Sequence, residues 1–295
     1  MKLSDRRVSV LMLVLTGSFL FLYRDVIAKL IHDWSIDENY SHGFLVIPIA
    51  LYLAWERRGQ FADATTKPSV VGLIVAVGSI GMLLAGILGA EVFTTEVSLV
   101  GALAGSVLFL FGWAHLRIML FPIAFLMLMI PLPAIIFNQI TFPLQLLASR
   151  FGEGALMLAQ IPVLREGNVI HLANTSLEVA EACSGIRSLI SLLTLGIVYG
   201  YFVDSRTWLR WTIAFATVPV AIVTNGFRVA GTGVGAHYFG AAVAEGFFHE
   251  FSGWIIFISA FVMLLALHRV LVWQFPQNRA QSAMPKEPAP LATAN

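Results

Sequence analysis

Long apolar segments, separated by short polar ones, constrain this chain more than any other feature. A helix needs about 20 mostly apolar residues to cross a bilayer, and the candidate segments are residues 8–23, 44–55, 70–90, 97–113, 118–137, 184–203, 209–227 and 252–273. The second is short, and Pro131 and Pro133 break the fifth near its end. Only 12% of the residues are charged, about half the share found in soluble domains. The sequence therefore predicts an all-α polytopic membrane protein with about eight transmembrane helices.

The distribution of basic residues predicts the orientation of these helices. Lys and Arg in short loops favour the cytoplasmic side of a membrane. When the N-terminus is placed inside, the inner segments hold twelve of the 18 basic residues. We therefore expect both termini in the cytoplasm. The net charge of +1, with no basic stretch that alternates with aromatic residues, gives no reason to expect a nucleic-acid partner.

The longest predicted outer segment, residues 138–182, contains two kinds of structure. Its first part, to residue 160, has the pattern of an amphipathic helix near the interface. Apolar residues then flank a polar turn at 173–176, which predicts a small outer β-hairpin between helices five and six. Residues 229–248 are apolar but rich in Gly and Ala, and we expect an outer re-entrant or surface helical segment there. Residues 1–275 form one predicted domain, followed by a disordered cytoplasmic tail at 276–295.

Cys183 is the single cysteine of the chain, so an internal disulfide is excluded. It stands where a polar segment gives way to the sixth predicted span. Free backbone N–H groups and the dipole at a helix start lower the pKa of a thiol and favour the nucleophilic thiolate. A lone cysteine in an apolar protein can equally be a small buried hydrophobic residue.

The predicted topology brings two further reactive groups to the same depth as this thiol. Arg228 ends the seventh span and His249 precedes the eighth, both on the outer side. A thiolate, an imidazole and a guanidinium are the groups that acyl transfer needs for attack, proton transfer and oxyanion stabilisation. Arg187, four residues after Cys183, is an alternative partner, and His237 is an alternative base. Arg228 can also extend to lipid phosphates, as basic residues at helix ends often do.

The remaining ionisable residues offer weaker alternatives. His115 and His268 fall on the inner side, away from Cys183. Glu178 and Glu181 are able to orient a base, although a nearby carboxylate opposes ionisation of the thiol. His32 and His42 lie near several acidic residues, but without the tight spacing of metal ligands. We therefore predict no metal site and no cofactor.

Three segments carry a resemblance to a known family. Glu-Ala-Cys-Ser-Gly-Ile-Arg at 181–187, Asn-Gly-Phe-Arg at 225–228 and His-Glu-Phe-Ser-Gly-Trp at 249–254 resemble the exosortase signature in order and spacing. Residues 34–43 resemble the N-terminal part of the same family, so the resemblance covers residues 20–275. Matching motif to motif, the catalytic cysteine, arginine and histidine of the family fall on Cys183, Arg228 and His249. Exosortase A is the candidate subtype.

The resemblance implies a multi-pass cysteine protease or transpeptidase of the bacterial inner membrane, acting at the periplasmic face. Its implied partners are exported proteins with a C-terminal sorting signal, which consists of a Pro-Glu-Pro motif, a transmembrane helix and a basic end. The alternative function is a polytopic transporter or a scaffold of envelope or exopolysaccharide export. A transporter should show charged groups near mid-span and broken helices at corresponding places in two halves. The sequence shows almost no ionisable residue in mid-span and no such symmetry.

Overall fold

A computed structural model describes residues 5–173, 175–179, 185–240 and 247–276, without the side chains of residues 5–9 and 247–250. Within these ranges the chain is mainly helical. Its helices are α1 (Asp5–Leu22), α2 (Arg24–Ile36), α3 (Gly43–Glu56), α4 (Arg58–Asp63), α5 (Val70–Leu88), α6 (Val92–Leu110), α7 (Trp113–Phe125), a 3₁₀ turn (Leu126–Met129), α8 (Ala134–Leu158), α9 (Ile186–Val203), α10 (Thr207–Phe239) and α11 (Phe247–Gln274).

Among the described helices, five are long and apolar enough to cross a membrane by themselves, namely α5, α6, α9, α10 and α11. Two further pairs qualify only as bent spans, since α1 and α2 meet at 60° and α7 with its 3₁₀ turn meets α8 at 77°. Helix α3 has only 14 residues, or about 21 Å at 1.5 Å per residue. The multi-pass, all-α architecture is therefore confirmed, whereas the structure supports five to seven spans by length and composition.

The α5–α6 hairpin illustrates how small residues pack these helices. A Cβ atom added at Gly72 would lie 2.1 Å from the backbone nitrogen of Phe109, and one at Gly105 would lie 2.6 Å from that of Ala76. Lipid gives helices no hydrophobic reason to associate, so close backbone approach at small residues supplies much of the attraction.

The predicted break near Pro131 and Pro133 is confirmed, because the 3₁₀ turn ends at Met129 and α8 begins directly after Pro133. Proline lacks a backbone N–H and restricts the residue before it, so neither helix continues through this segment. The resulting bend turns α8 away from α7 and against α10.

The predicted β-hairpin is confirmed, and it belongs to a larger sheet. Strand β2 (Val169–Leu172) pairs antiparallel with β3 (Ser176–Glu178), and β1 (Val163–Glu166) pairs with the other edge of β2. The two-residue connection between β1 and β2 is Gly167-Asn168, with φ of 65° at Gly167. The Gly-Asn pair after a short apolar stretch is a hairpin signal, so strand β1 was detectable. The buried Ile170 of β2 packs in one cluster with Leu156 of α8 and Val229 of α10.

Helix α10 corrects two predictions. The seventh span was expected to end at residue 227, with a separate re-entrant or surface segment from residue 229. Instead, one helix of 33 residues continues to Phe239 and ends at Gly240, whose φ is 85°. Gly233 packs against α8, since an added Cβ there would lie 2.9 Å from a methyl carbon of Leu156. Residues 241–246 of the predicted segment lie outside the described residues.

Helix α6 corrects the predicted position of one carboxylate. Glu96 was expected before the fourth span, but it lies inside α6 with 1% of its surface exposed. Neither carboxylate oxygen has a hydrogen-bond partner among the described residues. One ionisable residue is therefore buried within a span that the sequence assigned as free of charge.

Candidate functional site

The first turn of α9 is fixed against α10 by a glycine. Gly185 caps α9 in the left-handed conformation, with φ of 83°, and it is buried. A Cβ atom added there would lie 2.8 Å from Cγ of Asn225, a side chain that is itself only 2% exposed. Cys183 lies two residues before this contact. Residues 180–184, including Cys183 and Glu181, are outside the described residues.

A second contact joins α10 to the beginning of α11. Arg228 Nε donates a hydrogen bond to Ser252 Oγ over 3.3 Å. The guanidinium also lies beside Gly253, where an added Cβ would be 3.5 Å from Nη2. His249 falls in the first turn of α11, and its side chain is outside the described residues. Arg228 lies inside α10, not at the helix end that the sequence predicted.

These two contacts involve neighbouring positions of one helix. Asn225 and Arg228 are three residues apart, so they share a face of α10. The start of α9 and the start of α11 therefore meet the same turn of α10. The structure brings together the described parts of all three sequence motifs.

Arg187 has a different partner from the one considered in the sequence. Its Nη1 pairs with the carboxylate of Glu38, in the segment between α2 and α3. The side chains are 41% and 72% exposed, respectively. Arg187 Nε has no hydrogen-bond partner within the described part of the chain. The first turn of α9 is thus connected to the N-terminal part of the protein through an exposed ion pair.

The segment that carries Glu38 is itself fixed by three buried side chains. Trp34 Nε1 donates to the Met129 carbonyl at 2.9 Å, and Tyr40 Oη accepts from the Leu132 nitrogen at 3.1 Å. His42 Nε2 lies 3.0 Å from the Leu128 carbonyl, and it donates, because a carbonyl oxygen only accepts. Burial is the main influence on His42 and lowers its pKa from the ordinary value of 6.5, against the opposing effect of hydrogen bonds to backbone carbonyls. All three side chains therefore bind backbone groups in or next to the break between α7 and α8.

The alternative histidines fall elsewhere. His237 is nine residues beyond Arg228 on α10, which is about two and a half turns and places it on the opposite face. His171 of β2 contacts Ser176 Oγ at 2.8 Å, and His32 is exposed on α2. Within the described ranges, no group of three or more His, Cys, Asp or Glu residues is placed to hold a metal ion.

The end of the helix bundle opposite the three motifs is rich in arginine. His268 contacts Tyr199 Oη at 2.7 Å there, and His115 is buried beside Phe61. Arg57 Nε donates to Tyr201 Oη at 3.0 Å, and Arg206 pairs with Asp204 at 2.7 Å. The predicted separation of His115 and His268 from the three motifs is therefore confirmed for the described residues.

Sequence reasoning missed four residues that define the site. Glu38 and Ser252 lie in stretches that the motifs include, but nothing in their spacing identifies their partners. Gly185 and Asn225 were easier to predict from the sequence. A glycine before a helix indicates a special backbone conformation or a close contact, and an asparagine inside an apolar run indicates a buried polar side chain that needs a partner.

Comparison with known proteins agrees with this arrangement. Residues 34–266 match the model of the family described as Transmembrane exosortase (Exosortase_EpsH). The match extends from Trp34 past the contact between Arg228 and Ser252. It describes the family as a whole, so the exosortase A subtype stays a prediction. No curated protein and no solved structure matches the chain.

Proposed function

The chain belongs to the transmembrane exosortase family, and from this premise we propose that it is a membrane-embedded cysteine transpeptidase. Its proposed substrates are exported proteins whose C-terminal sorting signal combines a Pro-Glu-Pro motif with a transmembrane helix and a basic end. The observation that carries the proposal is the meeting of the three motifs around one turn of α10, through Gly185 with Asn225 and Arg228 with Ser252.

Chain connectivity supports the assignment of Cys183 as the nucleophile. Successive Cα atoms are about 3.8 Å apart, so the Cα of Cys183 is at most about 7.6 Å from that of Gly185. His249 supports the assignment of the base by its position, since it lies three residues before Ser252 on the same helix and therefore on the same face. These relations support a proposed site in which the thiol and the imidazole lie within a short reach of the Arg228 guanidinium.

The proposed reaction begins with attack by the Cys183 thiolate on the carbonyl carbon of the scissile peptide bond. The oxygen becomes an oxyanion, which Arg228 stabilises with its charge and its N–H donors. The C–N bond then breaks, and the protonated imidazole of His249 gives its proton to the leaving amine. The products are a thioester on Cys183 and a released C-terminal helix.

A second nucleophile resolves the thioester. An amine forms a new amide, and water forms a carboxylic acid, so the same intermediate serves transpeptidation and proteolysis. In either case the incoming group passes its proton to the imidazole, and the thiolate leaves. The acceptor decides which reaction is completed.

We infer that the site faces the periplasm. Arg57, Arg206 and Arg210 gather at the opposite end of the bundle, where Arg57 and Arg210 approach Tyr201 and Arg206 contacts the Phe275 carbonyl. Basic residues favour the cytoplasmic side, and this supports a bacterial inner-membrane protein with the three motifs on the outer side.

The decisive experiment is co-expression with a substrate that carries the sorting signal. We expect the wild-type protein to cleave it, and Cys183→Ala and Cys183→Ser to abolish cleavage while the protein remains in the membrane at normal abundance. A transporter or an export scaffold makes the opposite prediction, because replacement of Cys183 would then leave its role intact. Continued cleavage by Cys183→Ala would reject the proposal.

A further inference from the structure

Arg187 presents a guanidinium at the edge of the candidate site, and the described residues engage only part of its donors. It lies in the first turn of α9, four residues after Cys183. Its one partner among the described residues is the Glu38 carboxylate, at Nη1, while Nε has none. A guanidinium carries five N–H donors in a planar fork that matches a carboxylate.

The Glu38 carboxylate is easy to displace although its backbone is firmly held. Trp34, Tyr40 and His42 fix the surrounding segment through the hydrogen bonds described above, and each of them is at most 8% exposed. The Glu38 side chain, in contrast, is 72% exposed. Ion pairs this accessible to water contribute little to folding stability, because solvent screens them and both side chains lose freedom. The pair is therefore poorly suited to a purely structural role.

We propose that Arg187 binds an acidic side chain of the peptide substrate, and that Glu38 occupies the place of that carboxylate in the unliganded protein. This inference rests on the proposed function, and it assigns the glutamate of the sorting motif to a specific residue. An incoming carboxylate would take over the guanidinium fork as Glu38 turns into water. The acidic residue would then be held by a side chain that is four residues along the chain from Cys183.

Competition by Glu38 for the substrate site and a purely structural role of the ion pair predict opposite results for Glu38→Gln. If the pair only supports the fold, Glu38→Gln and Arg187→Gln should both weaken the enzyme. If Glu38 competes with the substrate, Glu38→Gln should strengthen substrate binding, by about two- to five-fold, as expected for the loss of an exposed ion pair. Arg187→Gln should weaken binding about ten-fold or more, since a charge-assisted pair is lost.

The experiment measures binding separately from cleavage. Full-length Cys183→Ala protein in lipid nanodiscs is titrated with a fluorescent reporter that contains Pro-Glu-Pro, a transmembrane helix and a basic end. Reporters with Pro-Gln-Pro and Pro-Lys-Pro provide the comparison without any change to the protein. We expect the Kd of the Glu reporter to be at least ten-fold lower than that of the Gln reporter. Arg187→Glu should reverse the preference in favour of the Lys reporter.

A matched control is the ion pair between Arg165 of β1 and Glu153 of α8, joined at 2.8 Å. Glu153→Gln should leave the Kd of all three reporters unchanged. Equal binding of the Glu and Gln reporters by the unsubstituted Arg187 protein would overturn the inference, as would unaltered or weaker binding by Glu38→Gln. Failure of the proposed function is a separate result, namely cleavage of the Glu reporter by Cys183→Ala.

Discussion

Gly185 and Asn225 are packed so closely that there is no room for a side chain at position 185. Gly185 has a left-handed backbone, and an added Cβ would lie 2.8 Å from Cγ of Asn225, closer than real Cβ contacts allow. This one contact fixes the start of α9 against the turn of α10 that carries Arg228. Its disruption should therefore affect reactivity as well as stability.

We predict that Gly185→Ala destabilises the protein and removes processing activity. Left-handed backbone costs a non-glycine residue about 1–2 kcal/mol, and overpacking adds about 1–3 kcal/mol. Gly240→Ala is a control for backbone strain without the contact, because Gly240 has φ of 85° and ψ of 175°, a region essentially confined to glycine, but no atom within 4 Å of an added Cβ. It should lower the thermal midpoint and leave processing intact. The measurements are thermal denaturation in detergent and cleavage of a co-expressed substrate. If Gly240→Ala lost processing to the same extent as Gly185→Ala, the loss could not be assigned to the contact with Asn225.

Arg228→Lys should remain in the membrane but process substrate about 10²–10³-fold more slowly, because lysine keeps the charge and loses the fork of donors. Ser252→Ala removes the hydrogen bond to Arg228 Nε, and we expect a loss of about ten-fold or less. Arg150→Lys, at an exposed position of α8, serves as the control and should be fully active. Rates come from pulse-chase labelling of a co-expressed substrate. Near-normal cleavage by Arg228→Ala would exclude the arginine from the mechanism.

His42 should make stability depend on pH. Burial lowers the pKa of His42 in the folded protein, so the unfolded chain takes up a proton first as the pH falls. The stabilisation is thus complete above about pH 6.5 and is lost as the pH drops from that value through the folded pKa. Thermal midpoints measured between pH 8 and pH 5 should fall at the acidic end.

The variant that tests this dependence is His42→Gln, which keeps an N–H donor for the Leu128 carbonyl and cannot titrate. Its midpoints should vary less with pH than those of the wild type. His32→Gln is the control at an exposed position and should follow the wild-type curve. A His42→Gln curve that is parallel to the wild type across the whole range would refute the assignment.

The orientation predicts which positions a membrane-impermeant thiol reagent reaches in spheroplasts. In a Cys183→Ala background, Ala173→Cys should be labelled from outside, because Ala173 is exposed between β2 and β3. Thr207→Cys, exposed at the start of α10, should be labelled only after permeabilisation. The reverse pattern would place the three motifs in the cytoplasm and reject the periplasmic site.

Sequence patterns predicted the elements whose formation depends on local chemistry. Apolar runs located the long helices, two prolines located the break before α8, and alternation located the β2–β3 hairpin. The continuation of α10 beyond Arg228 was missed because glycine disfavours a helix interior, whereas the close packing of Gly233 on Leu156 favours its continuation. The bend between α1 and α2 was also missed, since no proline or glycine marks it at Tyr23.

The candidate site was likewise predictable where it depends on local sequence and not where it depends on distant contacts. Motif order predicted that three helix segments share one level, and the described contacts of Gly185 and Arg228 agree with that. The pairing of Arg187 with Glu38 was not predictable, because it joins residues almost 150 positions apart in the chain, through a segment whose own position depends on the break after α7.

The length of α10 has a consequence for where a substrate is cut. With Thr207 at the inner face, Arg228 stands about 32 Å along the helix, close to the thickness of about 30 Å of a hydrocarbon core. The eleven residues from Arg228 to Phe239 extend the helix about 16 Å beyond Arg228. In the proposed orientation, the length of α10 therefore sets the height of Arg228 relative to the bilayer. A substrate anchored by its own transmembrane helix would then present its motif at the level of Arg228, whereas a protein with the same short motif but no such helix would not.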